Sequence, residues 1–142
     1  NQLQTLVRDI QMKAERFVLS FDVTADGIGP RIGLECSFEE NRYHEETRWE
    51  PLFDYLVEQG MCLPEKRDAL LRYPGVEHPD DFSGGVMKPL VSVSQHLDDI
   101  FSGSLVRYIS HVKVVYIPGR PIEAKAYPAV RLFESSDTVF YE

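Results

Sequence analysis

Cysteine is scarce in this chain: Cys36 and Cys62 are the only two in 142 residues, too few for a disulfide scaffold, and no N-x-[ST] sequon marks a secreted glycoprotein. Reduced thiols in a cytoplasmic setting are therefore expected. No apolar run approaches the ~20 residues that span a bilayer, and no signal-peptide pattern opens the chain, so a soluble protein without a membrane partner is expected. Excess positive charge is missing too. Lys and Arg number 15 against 23 Asp and Glu, for a net charge of -8, which argues against nucleic acid as a partner because phosphate binding relies on clustered basic residues. Zinc-ligand spacing, a Ser-His-Asp order and a Cys-His pairing are also lacking. No metal and no cofactor are expected, and no catalytic residue can be named.

What is present fits one domain, read as residues 1–142, with an ordinary apolar and charged composition and no low-complexity tract. Asn1 in first position, where a full-length chain carries Met, fits a part of a longer polypeptide.

The strongest strand signal lies between Leu105 and Tyr127, rich in β-branched and aromatic residues and punctuated by Pro118, Gly119 and Pro121. A hairpin is predicted. Alternate residues point to opposite faces, so the register of that hairpin decides which residues share a surface. A two-residue loop at Gly119-Arg120 would set Val114 against Lys125 and scatter charge onto both faces. An odd-length connection instead gathers Val112, Val114, Tyr116, Ile122, Ala124 and Ala126 on an apolar face, and His111, Lys113, Glu123, Lys125 and Tyr127 on a polar one. The second arrangement is expected.

The remaining chain reads in order. Leu3, Leu6, Val7, Ile10 and Ala14 recur at helical spacing over residues 2–15. From Phe17 the period becomes two, with Phe17, Leu19, Phe21 and Val23 on a buried face. After a Gly-rich connection from Thr24 to Pro30, Ile32, Leu34, Cys36 and Phe38 alternate likewise, which predicts another hairpin with Phe21 opposite Leu34 and Ser20 opposite Glu35. Gly27 to Gly33 superficially suggests a nucleotide loop, but a strand follows where the pyrophosphate would need a helix N-terminus. A plain loop is expected.

Residues 39–50 carry charges around Tyr43 and His44 and read as a solvated loop, since the adjacent His44, Glu45 and Glu46 cannot converge on one ion. Helices follow from Trp49 to Gly60 with Pro51 in the first turn, and from Pro64 to Tyr73. Cys62 lies in the joint between them. Val76 to Val86 reads as a polar loop, with His78, Asp80 and Asp81 as a weak cation candidate, and Pro89 to Phe101 as a further helix. Pro128 should end regular pairing or mark a sheet edge, with Val130, Leu132, Val139 and Phe140 in a final short strand or packed tail.

The expected fold is therefore α+β in the order α-β-β-α-α-α-β-β: an antiparallel sheet of two hairpins, four or five strands, packed on one face by three or four helices. Its open face would gather Ser20, Asp22, Glu35 and Ser37 with His111, Lys113, Glu123, Lys125 and Tyr127. Such a surface suits a binding or accessory module that recognises a partner protein, a peptide or a small anionic ligand: the lysines would hold an anionic group and Tyr127 would stack. A small enzyme with His111 or Glu35 moving a proton on the same face is the alternative.

Lys125-Ala126-Tyr127 on an antiparallel strand, with helices alternating with hairpins, resembles one repeat of the ABBA-type aromatic prenyltransferases. In that family basic residues and tyrosines inside a barrel hold a diphosphate and shield a cation. The likeness is confined to this hairpin, and the chain has too few strands to close such a barrel.

Overall fold

The computed structural model describes residues 1–38, 46–77, 88–89 and 103–132. Its elements are helix α1 (Gln2–Gln11), strands β1 (Arg16–Thr24) and β2 (Gly27–Ser37), a 3-10 turn (Glu46–Trp49), helices α2 (Glu50–Glu58) and α3 (Pro64–Arg72), and strands β3 (Gly75–Glu77), β4 (Lys88–Pro89), β5 (Leu105–Tyr116) and β6 (Glu123–Leu132). The fold is α+β, as the periodicities predict.

Local chemistry sets the helix ends. The Asn1 side chain accepts from the Leu3 amide at 2.8 Å, capping α1, and proline sits in the first turn of both α2 and α3, where its missing N–H costs nothing. Gly60, with φ 74°, takes the left-handed conformation that stops α2. Helix α1 ends at Gln11, earlier than its apolar spacing suggests. The chain must turn before β1, and Glu15 is drawn into an ion pair with Arg48.

Strand β5 is the axis of the sheet. Strand β6 pairs along almost its whole length on one side, while on the other β2 takes residues 112–116 and β3 takes residues 105–107. Strand β1 lies outside β2 and β4 outside β3, all antiparallel. Among the described residues β1 and β6 are therefore edge strands, and the sheet is open rather than closed into a barrel. Helices α1 and α2 cover one face. Leu6, Ile10, Leu52, Phe53 and Leu56 pack there against Leu34, Cys36, Ile109, Val112 and Val114, with Trp49 stacked on Phe53 at 5.7 Å and edge-on to Phe38 at 4.7 Å.

The second hairpin has the register that the polar and apolar sorting demands. Val112 faces Ala126, Lys113 faces Lys125 and Val114 faces Ala124, leaving residues 117–121 as an odd-length connection with Gly119 at φ 78°. Val112 and Val114 are fully buried, and Ala124 and Ala126 are half-buried against the same core. Pro128 does mark an edge, but β6 runs on through it to Leu132. An extra residue on β5, Ser110, bulges where Pro128 faces Ile109, so the missing N–H falls at a break in the ladder.

The first hairpin differs from expectation. Its turn is Ala25-Asp26, Gly27 begins β2, and the expected glycine-rich loop is strand. Three residues of β2, Gly29, Pro30 and Arg31, oppose Asp22 alone, so Phe21 faces Ile32 instead of Leu34 and Ser20 faces Gly33 instead of Glu35. The slip is an even number of residues, which preserves the faces.

Two other expectations are corrected. Val76 and Glu77, expected to open a loop, belong to strand β3, because Val76 pairs with Val106 of β5; Pro89, expected in a helix, pairs with Gly75 in the edge strand β4, where a residue without N–H is tolerated. The helix expected beyond Pro89 to Phe101, residues 39–45 of the expected solvated loop, the weak cation candidate at His78, Asp80 and Asp81, and the tail with Val139 and Phe140 lie outside the described residues.

Candidate functional site

The polar face is a set of transverse rows fixed by the ladders. Glu35 on β2, Lys113 on β5 and Lys125 on β6 stand in one row, with Val18 of β1 at its end. His111 and Tyr127 occupy the neighbouring row on one side. Their rings stack at 4.2 Å between centroids and 14° between planes, and Ser110 Oγ lies 3.0 Å from His111 Nδ1. On the other side are Gly33, Val115 and Glu123, with Ser20 opposite Gly33. The structure thus brings Glu35, Lys113, Lys125, His111, Tyr127 and Glu123 onto adjoining positions. Asp22 stands apart, toward the tip of the first hairpin beside Gly29.

The lysines hold the least comfortable position. Lys113 and Lys125 are direct cross-strand neighbours, an arrangement that destabilises by up to ~1 kcal/mol for like charges. Among the described residues no ion pair joins either to a carboxylate. Lys113 lies down across Gly33: a Cβ there would come 2.8 Å from Lys113 Cε and 2.5 Å from Ser20 Oγ. A larger residue there would have to push aside the lysine stem and the serine hydroxyl, which already fill its side-chain space. Neither His111 nor Glu35 lines the groove that the described residues form beside β6.

A groove of about 740 Å³ runs between β6 and the helical pair α2–α3, bounded by Ala124 to Pro128 on one wall and by residues including Leu63, Lys66, Leu70 and Tyr73 on the other, with Cys62 at its side. It exists because β6 presents alanines, at 124 and 126, where β5 presents valines. In the sequence the two alanines read as apolar positions, and their small volume is the one local sign of a groove. Tyr73 closes one end by donating its hydroxyl to the Ala129 carbonyl at 3.1 Å.

Neither thiol is built as a nucleophile. Burial, together with the nearby Glu35 charge, pushes Cys36 up to about 12. Burial also raises Cys62, with Lys66, the Arg67 main-chain N–H and the Arg67 guanidinium only partly offsetting it, so the protonated thiol dominates at neutral pH. Arg67 itself is committed to Asp54 at 2.8 Å and Asp68 at 2.9 Å. Among the described residues no group of three or more His, Cys, Asp or Glu side chains could hold a metal ion, and no helix is long and apolar enough to cross a membrane.

No family model, no curated protein and no solved structure matches this chain.

Proposed function

We propose that the chain is a binding module that takes up an extended peptide segment of a partner protein along the outer edge of β6. The observation that carries this reading is a coincidence on one strand: an outer edge that no described strand pairs, an apolar groove on one side of it and the Lys113-Lys125 row on the other. A strand added to that edge continues the sheet through main-chain hydrogen bonds, and its alternate side chains fall to opposite faces. Apolar residues enter the groove over Ala124 and Ala126. Acidic residues meet Lys125 and Lys113 on the polar face, relieving the like-charge pair, and a flat ring has Tyr127 to stack on.

Charge supports the same partner. Lys66 at the groove and Lys113 with Lys125 on the polar face flank the β6 edge from its two sides, so an acidic peptide laid along that edge meets a cation on either face. An enzymatic role draws less support, since the groove and the pair His111 and Glu35 do not meet and both thiols are held protonated. The two free thiols fit a reducing, cytoplasmic compartment.

The reading is tested by following amide signals while adding a short peptide of alternating Val and Glu, with an alternating Val and Lys peptide as control. Shifts at Glu123, Lys125, Tyr127 and Tyr73 with the acidic peptide alone are the expected outcome. Equal binding of both peptides, or shifts that avoid β6, would contradict it.

A further inference from the structure

The opposite edge of the sheet carries a different surface. Strand β1 has Val18 exposed on one face and Leu19, Phe21 and Val23 exposed on the other, with Ile28 of β2 exposed beside them. A long apolar edge strand is an invitation to further pairing, and natural proteins usually blunt such edges with charge, proline or bulges. Strand β1 has none of these devices along its middle. The extra residues of the first hairpin sit on β2, so the β1 ladder is regular from Arg16 through Phe21, and no strand pairs its outer edge among the described residues.

The sequence of β1 also says which partner fits. Arg16 and Asp22 are spaced equally on either side of Leu19. When two copies of β1 lie antiparallel about a two-fold axis at Leu19, Arg16 of each copy falls opposite Asp22 of the other. Phe17 then falls opposite Phe21, Val18 opposite Ser20, and Leu19 opposite itself. Residues of like face meet, as a continuous sheet requires. Sliding by one step either way while keeping the faces sets Arg16 against Ser20 or Thr24 and loses both charge pairs. We infer that β1 is a self-association edge: two copies of the chain join through antiparallel β1 strands centred on Leu19, with Phe17, Leu19 and Phe21 of both copies in one apolar cluster and the two Arg16-Asp22 pairs on the opposite face. This surface is separate from the β6 edge and leaves it free in the dimer. The interface is isologous, each patch serving as its own complement.

Charge exchange tests the pairing and its register together. Sedimentation across the micromolar range should show a reversible dimer of the wild-type chain. Arg16→Asp sets Asp against Asp22 at both ends, and Asp22→Arg sets Arg against Arg16. Each variant alone should weaken the dimer on the order of 30-fold while keeping the wild-type circular dichroism spectrum. Mixing the two variants restores opposite charges at both ends, so isotope-labelled Arg16→Asp should dimerise with unlabelled Asp22→Arg at close to wild-type affinity. The proposal is overturned by a wild-type chain that stays monomeric to about 1 mM. It is equally overturned by single variants that dimerise as well as wild type, or by failure of the mixture to recover.

Discussion

The two long hairpins carry the same kind of alternation in sequence and meet different fates. In β5–β6 the apolar face is covered: Val112 and Val114 are fully buried under α2, and Ala124 and Ala126 pack against the same core. In β1–β2 the cover stops partway. Leu34 is wholly buried, yet its direct cross-strand partner Leu19 is 50% exposed, and Val23, farther out, is 75% exposed. Alternation states which residues share a face. Whether anything lies on that face depends on how far the helices reach, which period two does not encode.

The largest expected effect separates the hairpins by a single substitution in each member of one cross-strand pair. Leu34→Ala should cost ~2–5 kcal/mol, the loss of a buried leucine with incomplete collapse of the cavity, whereas Leu19→Ala should cost under ~1 kcal/mol in the monomer. Denaturant unfolding of the two variants checks this. Comparable losses would mean that the outer half of the first hairpin is covered after all.

A second effect comes from Cys36 on the covered part of β2. Its folded value of about 12 lies above the ordinary 9.0, so the unfolded chain gives up a proton that the folded chain keeps between those values. Stability from this group is fully present below pH 9 and falls as pH rises toward 12, with a slope of up to about 1.4 kcal/mol per pH unit. The difference between wild type and Cys36→Ala, followed by unfolding over that window, should show the slope; parallel curves would contradict it.

Gly33→Ala should cost ~1 kcal/mol, because Lys113 and Ser20 must both give way to the new methyl group. Thermal unfolding measures it, and the same variant should lift Lys113 off the sheet, changing its side-chain signals. The smallest effect is expected for Lys113→Gln with Lys125→Gln. These exposed or half-exposed residues carry a like-charge pair, so stability should change by under ~1 kcal/mol, while affinity for the acidic peptide falls and its salt dependence flattens. If the double change unfolds the chain, the lysines are structural and the binding role assigned to that row fails.

Much of the fold was legible because charge and shape agreed on it. Lys113, Glu123 and Lys125 cannot be buried, so the second hairpin had only one sensible parity, and Pro118 to Pro121 supplied the turn. The first hairpin has few charges to pin it. Asp22 and Glu35 allow several registers of equal parity, and the true one depends on Gly29-Pro30-Arg31 bulging opposite a single residue. The short strands β3 and β4 were hidden because three residues or fewer show no period. The polar row of the candidate site followed from parity, but the groove did not. It arises from α3 standing off β6 across two alanines, a distance between elements that no single segment records.

Amide hydrogen exchange of the two edge strands, measured at low and high protein concentration and again with the acidic peptide, tests the division of labour directly. Main-chain amides of β1 should gain protection as concentration rises and stay unchanged on adding peptide, while the outward amides of β6 should do the reverse. Peptide-dependent protection at β1, or none at β6, would contradict the account.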